Sequence, residues 1–135
     1  MTRYFTNNYT LVNLYKKPST KSEIVTQMLY GESFSILKRS LKWCKIKILE
    51  DNYKGYIKKK NFLNFLKPSH KVKILRAKVY KYAKKGKKIN EISFGSKIKI
   101  EHKKTKFLKF SKGWISKNDV SPISFKESNP FKNIS

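Results

Sequence analysis

Apolar and polar residues alternate with a period of two over several short stretches of this chain. The clearest is WCKIKIL at residues 43–49, in which Cys44, Ile46 and Ile48 fall on one side and charged or larger residues on the other. The segments SFSILK, KVKIL and KIKIEHK show the same period. This period is typical of half-buried β-strands, and the segments between them are rich in Gly, Pro, Asn and Ser. Short strands separated by frequent turns predict an all-β fold made of small barrels.

An internal repeat divides the pattern into two copies. LYGESFSIL resembles SFGSKIKI when an offset of 64 carries Gly31 onto Gly95, and YKGYI resembles SKGWI further along the chain. Each copy holds about five predicted strands, and the intervening KPSH is a natural boundary because proline ends strands. We therefore predict two small barrels in tandem, over residues 8–66 and 70–121, followed by a tail or linker at 122–135.

The strong positive charge has two interpretations. The chain carries 33 Lys and Arg against 8 Asp and Glu, a net charge of +25, and all but three of its basic residues are lysines. Such a field attracts polyanions, so a nucleic-acid partner is possible on charge alone. A coding sequence rich in A and T produces the same lysine excess. The lysine runs at 58–60 and 84–88 are predicted to be solvated faces; the alternative is contact with anionic polymers such as peptidoglycan carboxylates, teichoic acids or RNA.

Residues suited to catalysis or metal binding are scarce. The single cysteine excludes an internal disulfide and a cysteine-rich zinc site, and the two histidines, His70 and His102, leave little for a metal cluster. Cys44 falls in a predicted strand rather than at a helix start, where a thiolate would be stabilised, so we expect a buried thiol. We expect no catalytic residues, no metal and no cofactor. No apolar run is long enough for a membrane span and no signal peptide is seen, so a cytoplasmic location is expected.

The first copy resembles a known family. Its elements are PSTKSE, then VTQMLYGESF, a tryptophan and DNYKGY, and together they resemble the bacterial SH3 (SH3b) domain. More closely, they resemble the first of two SH3b domains that precede the catalytic domain in NlpC-type cell-wall cysteine peptidases, the γ-D-glutamyl dipeptidyl-peptidases. The second copy matches more loosely, so that the resemblance covers about residues 8–121. It implies two SH3-like barrels. The D-C-S-G-type nucleophile motif of the family does not occur in this chain, so a catalytic domain would be separately encoded or truncated.

The resemblance also implies candidate ligand-binding residues. In the resembling enzymes the first barrel walls one side of the catalytic groove and helps to bind the free amine of the peptide. Carboxylates and phenols accept hydrogen bonds from an ammonium group, and the matching positions here are Glu32, Asp51, Tyr53 and Tyr56. The structural alternative is that Asp51 is a turn residue and that both tyrosines cover the barrel core.

Two functions follow from these observations. The first is a non-catalytic module that recognises cell-wall peptide or peptidoglycan and positions it for an NlpC-type peptidase. The alternative is a nucleic-acid-binding barrel, in which lysines contact phosphates and aromatic rings stack on bases. Trp43 and Trp114 are expected to lie in the core rather than to serve as stacking platforms.

Overall fold

The computed structural model of the chain describes residues 2–123 and consists almost entirely of short antiparallel strands. The predicted all-β class is confirmed. The chain divides into two compact units, Met1–Leu66 and Lys67–Ser135. Of the predicted tail, residues 124–135 lie outside the described part. No helix in residues 2–123 has both the length and the apolar character needed to cross a bilayer.

The first unit contains a single sheet. Its strands are β1 (Tyr4–Thr6), β2 (Leu11–Tyr15), β3 (Ile24–Leu29), β4 (Ser33–Arg39), β5 (Trp43–Ile48), β6 (Lys54–Lys58) and β7 (Leu63–Asn64). They are ordered β3-β2-β6-β5-β4-β1-β7, and every neighbouring pair is antiparallel.

The alternation in the sequence places the core of the first unit. In β5 the side chains of Cys44, Ile46 and Ile48 are buried, whereas the intervening residues are half-buried, as the period of two predicts. Buried side chains from β2, β3, β4 and β6 complete the apolar cluster: Val12, Leu14, Met28, Phe34 and Ile57. The residues between these buried positions therefore direct their side chains to the opposite, outer face of the sheet.

The strands of the second unit follow the same order as those of the first unit, but they are divided between two sheets. Its strands are β8 (His70–Val72), β9 (Arg76–Tyr80), β10 (Lys88–Ser93), β11 (Lys97–Ile98), β12 (His102–Lys104), β13 (Phe107–Phe110), β14 (Gly113–Ser116) and β15 (Val120–Pro122), with a 3-10 helix at Lys117–Asp119. One sheet is ordered β10-β9-β14-β13-β12 and the other β11-β8-β15. The difference lies at β4, whose counterpart is interrupted and forms β11 and β12.

Glycine at matching positions permits the same close approach in both units. A Cβ at Gly55 would lie 2.9 Å from the Cβ of Leu14, and a Cβ at Gly113 would lie 2.7 Å from the carbonyl oxygen of Tyr80. These contacts join β6 to β2 and β14 to β9. Any larger residue would push the paired strands apart, so each glycine is required by packing.

Candidate functional site

The outer face of the first unit carries a group of aromatic and cationic side chains. Since β5 alternates, Trp43 and Lys45 are half-buried on the face opposite the core. Lys45 is paired with Tyr56 of β6, and Tyr56 is paired with Tyr15 of β2. Residues paired across neighbouring strands share a face, so these four side chains form one surface. We call it the outer aromatic surface: Tyr15, Trp43, Lys45 and Tyr56.

Ring contacts hold this surface together. The ring centroids of Tyr15 and Trp43 are 5.8 Å apart at an interplanar angle of 89°, an edge-to-face contact. The ammonium group of Lys45 lies 5.8 Å from the centre of the Tyr56 ring, within range of a cation–π interaction. The expectation that Trp43 belongs to the core is therefore wrong. Its position beside Lys45 in the alternating segment already indicated the outer face.

The second unit repeats these contacts with different residues. Tyr80 meets Phe107 edge to face, with centroids 6.1 Å apart at 85°. Lys109 lies 6.0 Å from the ring centre of Trp114 and is paired with it across β13 and β14. Trp114 is half-buried, so the core expectation is wrong for it as well. The outer aromatic arrangement is thus a property of the strand pattern that the two units share.

Two of the predicted site residues form the turn between β5 and β6. The backbone N–H of Tyr53 donates to Oδ1 of Asp51 at 3.0 Å, which is the bond of an Asx turn. Between them Asn52 adopts a positive φ of 62°, a conformation that asparagine tolerates well. The structural alternative therefore holds for Asp51, but its carboxylate is also exposed to solvent. The Tyr53 side chain is 53% exposed and does not cover the core, so a ligand can reach both groups.

Glu32 lies in the turn between β3 and β4. Its Oε1 accepts a hydrogen bond of 2.7 Å from the backbone N–H of Leu29, so this carboxylate closes the turn. The N–H of Leu49 donates to the carbonyl of Ser33 at 2.8 Å, which places the β3–β4 and β5–β6 turns at the same end of the sheet. Glu32, Asp51 and Tyr53 are therefore brought to one end of the first unit.

Tyr56 lies further along β6, on the outer aromatic surface, and is half-buried there. Between Tyr56 and the turn, Lys47 and Lys54 are directly opposite each other. Like charges in such a pair repel, and an anionic group placed between them would relieve the repulsion. Asp51 in the turn and the lysine pair beside it together offer partners for a ligand that carries both an ammonium group and carboxylates.

The comparisons with known proteins agree with this fold. Residues 14–62 match the family model described as bacterial dipeptidyl-peptidase SH3 domain, and this segment contains Glu32, Asp51, Tyr53 and Tyr56. An NlpC/P60 family protein from Bacillus cereus has a similar structure, with a TM-score of 0.68 and 15% sequence identity. The alignment covers 87% of this chain and 55% of that protein. At this identity the likeness shows a shared fold.

Two proteins from Trichomonas vaginalis are also similar over most of this chain. NlpC2 is 13% identical over 90% of the chain and 48% of its own length, with a TM-score of 0.37. NlpC1 is 12% identical over 89% of the chain and 45% of its own length, with a TM-score of 0.39. The chain thus spans about half the length of the solved structures it matches, and no curated protein matches it. Residues 14–62 therefore match the bacterial dipeptidyl-peptidase SH3 domain family, and the chain shares its fold with the NlpC/P60 family protein from Bacillus cereus.

Proposed function

We propose that this chain is a non-catalytic module that recognises cell-wall peptide and positions it for an NlpC-type γ-D-glutamyl dipeptidyl-peptidase. The observation that carries the proposal is the family match over residues 14–62, together with the two adjacent turns that it contains. The turns present the carboxylate of Asp51 and the phenol of Tyr53 to solvent at one end of the sheet.

The proposed ligand matches the charges at that end. A cell-wall peptide with a free amine and several carboxylates needs an acceptor for its ammonium group and cations for its carboxylates. Asp51 supplies the acceptor, Tyr53 an adjacent phenol, and Lys47 and Lys54 supply the cations. A charged hydrogen bond contributes roughly 1.5–3 kcal/mol, so even a small set of these contacts gives selectivity for the peptide.

The absence of catalysis in this proposal rests on the position of the thiol. Cys44 points to the inner side of β5 and is 5% exposed. A nucleophilic cysteine needs access to substrate and a neighbouring group that stabilises the thiolate. Catalysis is therefore assigned to a separate peptidase domain, for which this chain positions the peptide.

Binding of the dipeptide L-Ala-γ-D-Glu to the full chain, measured by calorimetry, tests the proposal. The informative variant is Asp51→Asn, because its side-chain oxygen can still accept from the Tyr53 N–H while the charge is lost. Affinity should fall about tenfold, the loss expected for one charge-assisted hydrogen bond. Glu23→Gln removes one charge from an exposed acid elsewhere in the first unit and should leave affinity unchanged. Failure of the wild-type chain to bind, or an equal loss in both variants, would contradict the proposal.

The outer aromatic surface supports a second candidate function, the binding of single-stranded nucleic acid. Lys45 lies over the Tyr56 ring and Lys58 is paired with Trp43, and both rings are exposed in part, as a stacking platform requires. Anisotropy of a labelled RNA oligomer, measured over a series of salt concentrations, separates the two functions. Nucleic-acid binding should show a steep dependence of affinity on salt and should weaken in Trp43→Leu. RNA binding that persists at physiological salt, without dipeptide binding, would replace the first proposal with the second.

A further inference from the structure

The second unit contains a cavity of about 310 Å³ beside β9, the 3-10 helix and the β9–β10 hairpin. Its size is at the lower end of the range of small-molecule sites. Its lining is mostly polar and basic: Ile74, Arg76, Lys78, Tyr80, Lys85, Ser116, Asn118 and Asp119.

Alternate residues of β9 form one wall of this cavity. Ala77 and Val79 are buried on the core side, so Arg76 and Lys78 are exposed on the opposite face, where Tyr80 is only 9% exposed. Lys85 reaches the cavity from the hairpin that joins β9 to β10. Three cations from two segments therefore surround the same space, with the ring of Tyr80 as its aromatic wall.

The opposite wall comes from the end of β14 and the 3-10 helix. Ser116 precedes this helix, and its hydroxyl oxygen accepts from the N–H of Asn118 at 3.3 Å. The N–H of Lys73 donates to the carbonyl oxygen of Asp119 at 3.0 Å, which fixes the helix beside the end of β8. Burial raises the pKa of the Asp119 carboxyl above its usual value, against the opposing effects of Lys85 and Lys73. The cavity thus has one acidic group against three cations.

The cations of the cavity are neutralised only in part by their neighbours. Glu91 accepts from Lys88 at 2.7 Å, whereas its contact with Arg76 is 3.8 Å long and the Arg76 side chain is 73% exposed. Among the described residues, neither Lys78 nor Lys85 has a carboxylate oxygen within ion-pair distance. Guanidinium and ammonium donors are consequently available to an anion that enters the cavity.

The shared fold does not impose this charge. The repeat aligns Arg76, Lys78 and Tyr80 with Leu11, Asn13 and Tyr15 of the first unit. The aromatic position is kept, whereas both basic positions are apolar or neutral in β2. Arg76 is one of three arginines in the chain, so a general excess of lysine does not explain it.

We propose that this cavity binds the carboxylate or phosphate group of a small anionic ligand through Arg76, Lys78 and Lys85. This site lies within the second unit and goes beyond the peptide-binding function proposed for the first. The shared chemistry is an oxyanion held by a bidentate guanidinium and two ammonium groups, with Ser116 and Asn118 as further polar partners.

Titration of the full chain with succinate and, separately, with inorganic phosphate tests the proposal at constant ionic strength. Backbone amide resonances of Ala77, Ser116 and Asn118 should shift and saturate with at least one of the two probes, and the stronger probe identifies the preferred oxyanion. The double variant Arg76→Gln/Lys78→Gln should lose at least about tenfold in affinity, since each charge-assisted hydrogen bond accounts for roughly that factor.

The control is Lys99→Gln/Lys106→Gln, which removes the same charge from exposed positions of the second unit outside the cavity. Its affinity should stay within about twofold of wild type, because exposed charges at a distance are screened by salt. Lys85→Gln, in the exposed hairpin, is a second variant whose expected loss of affinity does not depend on the fold of β9. Shifts that spread over all lysine-rich surfaces without saturation would overturn the site. An equal loss in the control and cavity variants would do the same.

Discussion

Gly113 is the position at which a single added methyl group should be most damaging. Its φ of +143° is a conformation that residues with a Cβ rarely adopt. A Cβ there would lie 2.7 Å from the carbonyl oxygen of Tyr80 and 3.0 Å from Cγ1 of Val79. The first neighbour is a backbone atom and cannot rotate away. In Gly113→Ala, β14 and β9 must therefore separate, or the backbone must change conformation.

The magnitude follows from these two effects. An unfavourable backbone conformation costs about 1–3 kcal/mol, and overpacking against a rigid neighbour costs about the same again. We expect Gly113→Ala to lower the free energy of unfolding by about 4 kcal/mol. That is a large part of the roughly 3–10 kcal/mol expected for a unit of this size.

Two further glycines separate the contributions. Gly86 has a φ of +155°, but nothing lies within 4 Å of an added Cβ, so Gly86→Ala tests the backbone alone and should cost about 1–2 kcal/mol. Gly55 has no left-handed backbone, but its Cβ would lie 2.9 Å from the Cβ of Leu14, so Gly55→Ala tests the contact alone and should cost about 2 kcal/mol. Gly113→Ala combines both effects.

Urea unfolding followed by tryptophan fluorescence measures all three variants. Trp43 lies in the first unit and Trp114 in the second, so Trp43→Phe and Trp114→Phe backgrounds report each unit separately. A Gly113→Ala variant no less stable than Gly86→Ala would refute the reasoning. The short distance to the Tyr80 carbonyl would then impose no cost.

Three further predictions concern single side chains. Glu32→Ala should lower the free energy of unfolding by about 1–3 kcal/mol, because the Leu29 N–H loses its charged acceptor, and Glu32→Gln should recover part of the loss in the same urea measurement. His70 should titrate below 6.5 in an NMR titration, mainly because burial disfavours its charged form; Lys103→Gln should raise this pKa only in part, and a value above 6.5 would contradict the assignment. Since the pKa of His70 is lowered on folding, its contribution to stability should be present above pH 6.5 and be lost as the pH falls through the folded-state pKa. Cys44 should react slowly with a thiol reagent in the native chain and rapidly in urea, and fast native labelling would show that β5 is not packed as described.

The strands of the fold could be predicted from the sequence where an alternating segment forms one unbroken strand. WCKIKI shows this directly, since Cys44, Ile46 and Ile48 are all buried in β5. The alternation in KIKIEHK predicts one strand where the structure has β11 and β12 with a break between them, and the short strands β7 and β1 show no period. They depend on pairing with distant strands, and β1 precedes the predicted start of the first barrel at residue 8.

The core expectation for the two tryptophans was wrong because it was based on residue type and not on their position in the alternating pattern. Large aromatic residues are usually placed in the core, yet alternation puts Trp43 on the same face as Lys45. The period of two was the better guide, because the backbone geometry of a strand fixes the face before residue size has any influence. The same reasoning applies to Trp114, which is paired with Lys109.

The candidate site was predictable only in part, because a sequence pattern shows local contacts but not contacts between distant segments. Residues near each other in sequence, such as Asp51 and Tyr53, form a local turn whose chemistry can be predicted from DNYKG. The cavity of the second unit joins Arg76 to Asp119, which are 43 positions apart. No local pattern shows that juxtaposition. It depends on the pairing of β14 with β9, which brings the end of β14 and the 3-10 helix over the basic face of β9.

The two units keep the residues at which their strands pack closely and differ in the residues on the outer face. Glycine and a tyrosine recur at the β2–β6 and β9–β14 contacts, where Gly55 and Gly113 approach the neighbouring strand. Packing permits little change at such positions, because any added atom meets backbone or core. The outer-face positions of β2 and β9 have no such constraint, and the change from Leu11 to Arg76 replaces an apolar side chain with a cation without altering the strand order. Ligand preference can therefore differ between the units while the scaffold stays the same, and a binding defect caused by variants on the outer face should leave the fold of that unit intact.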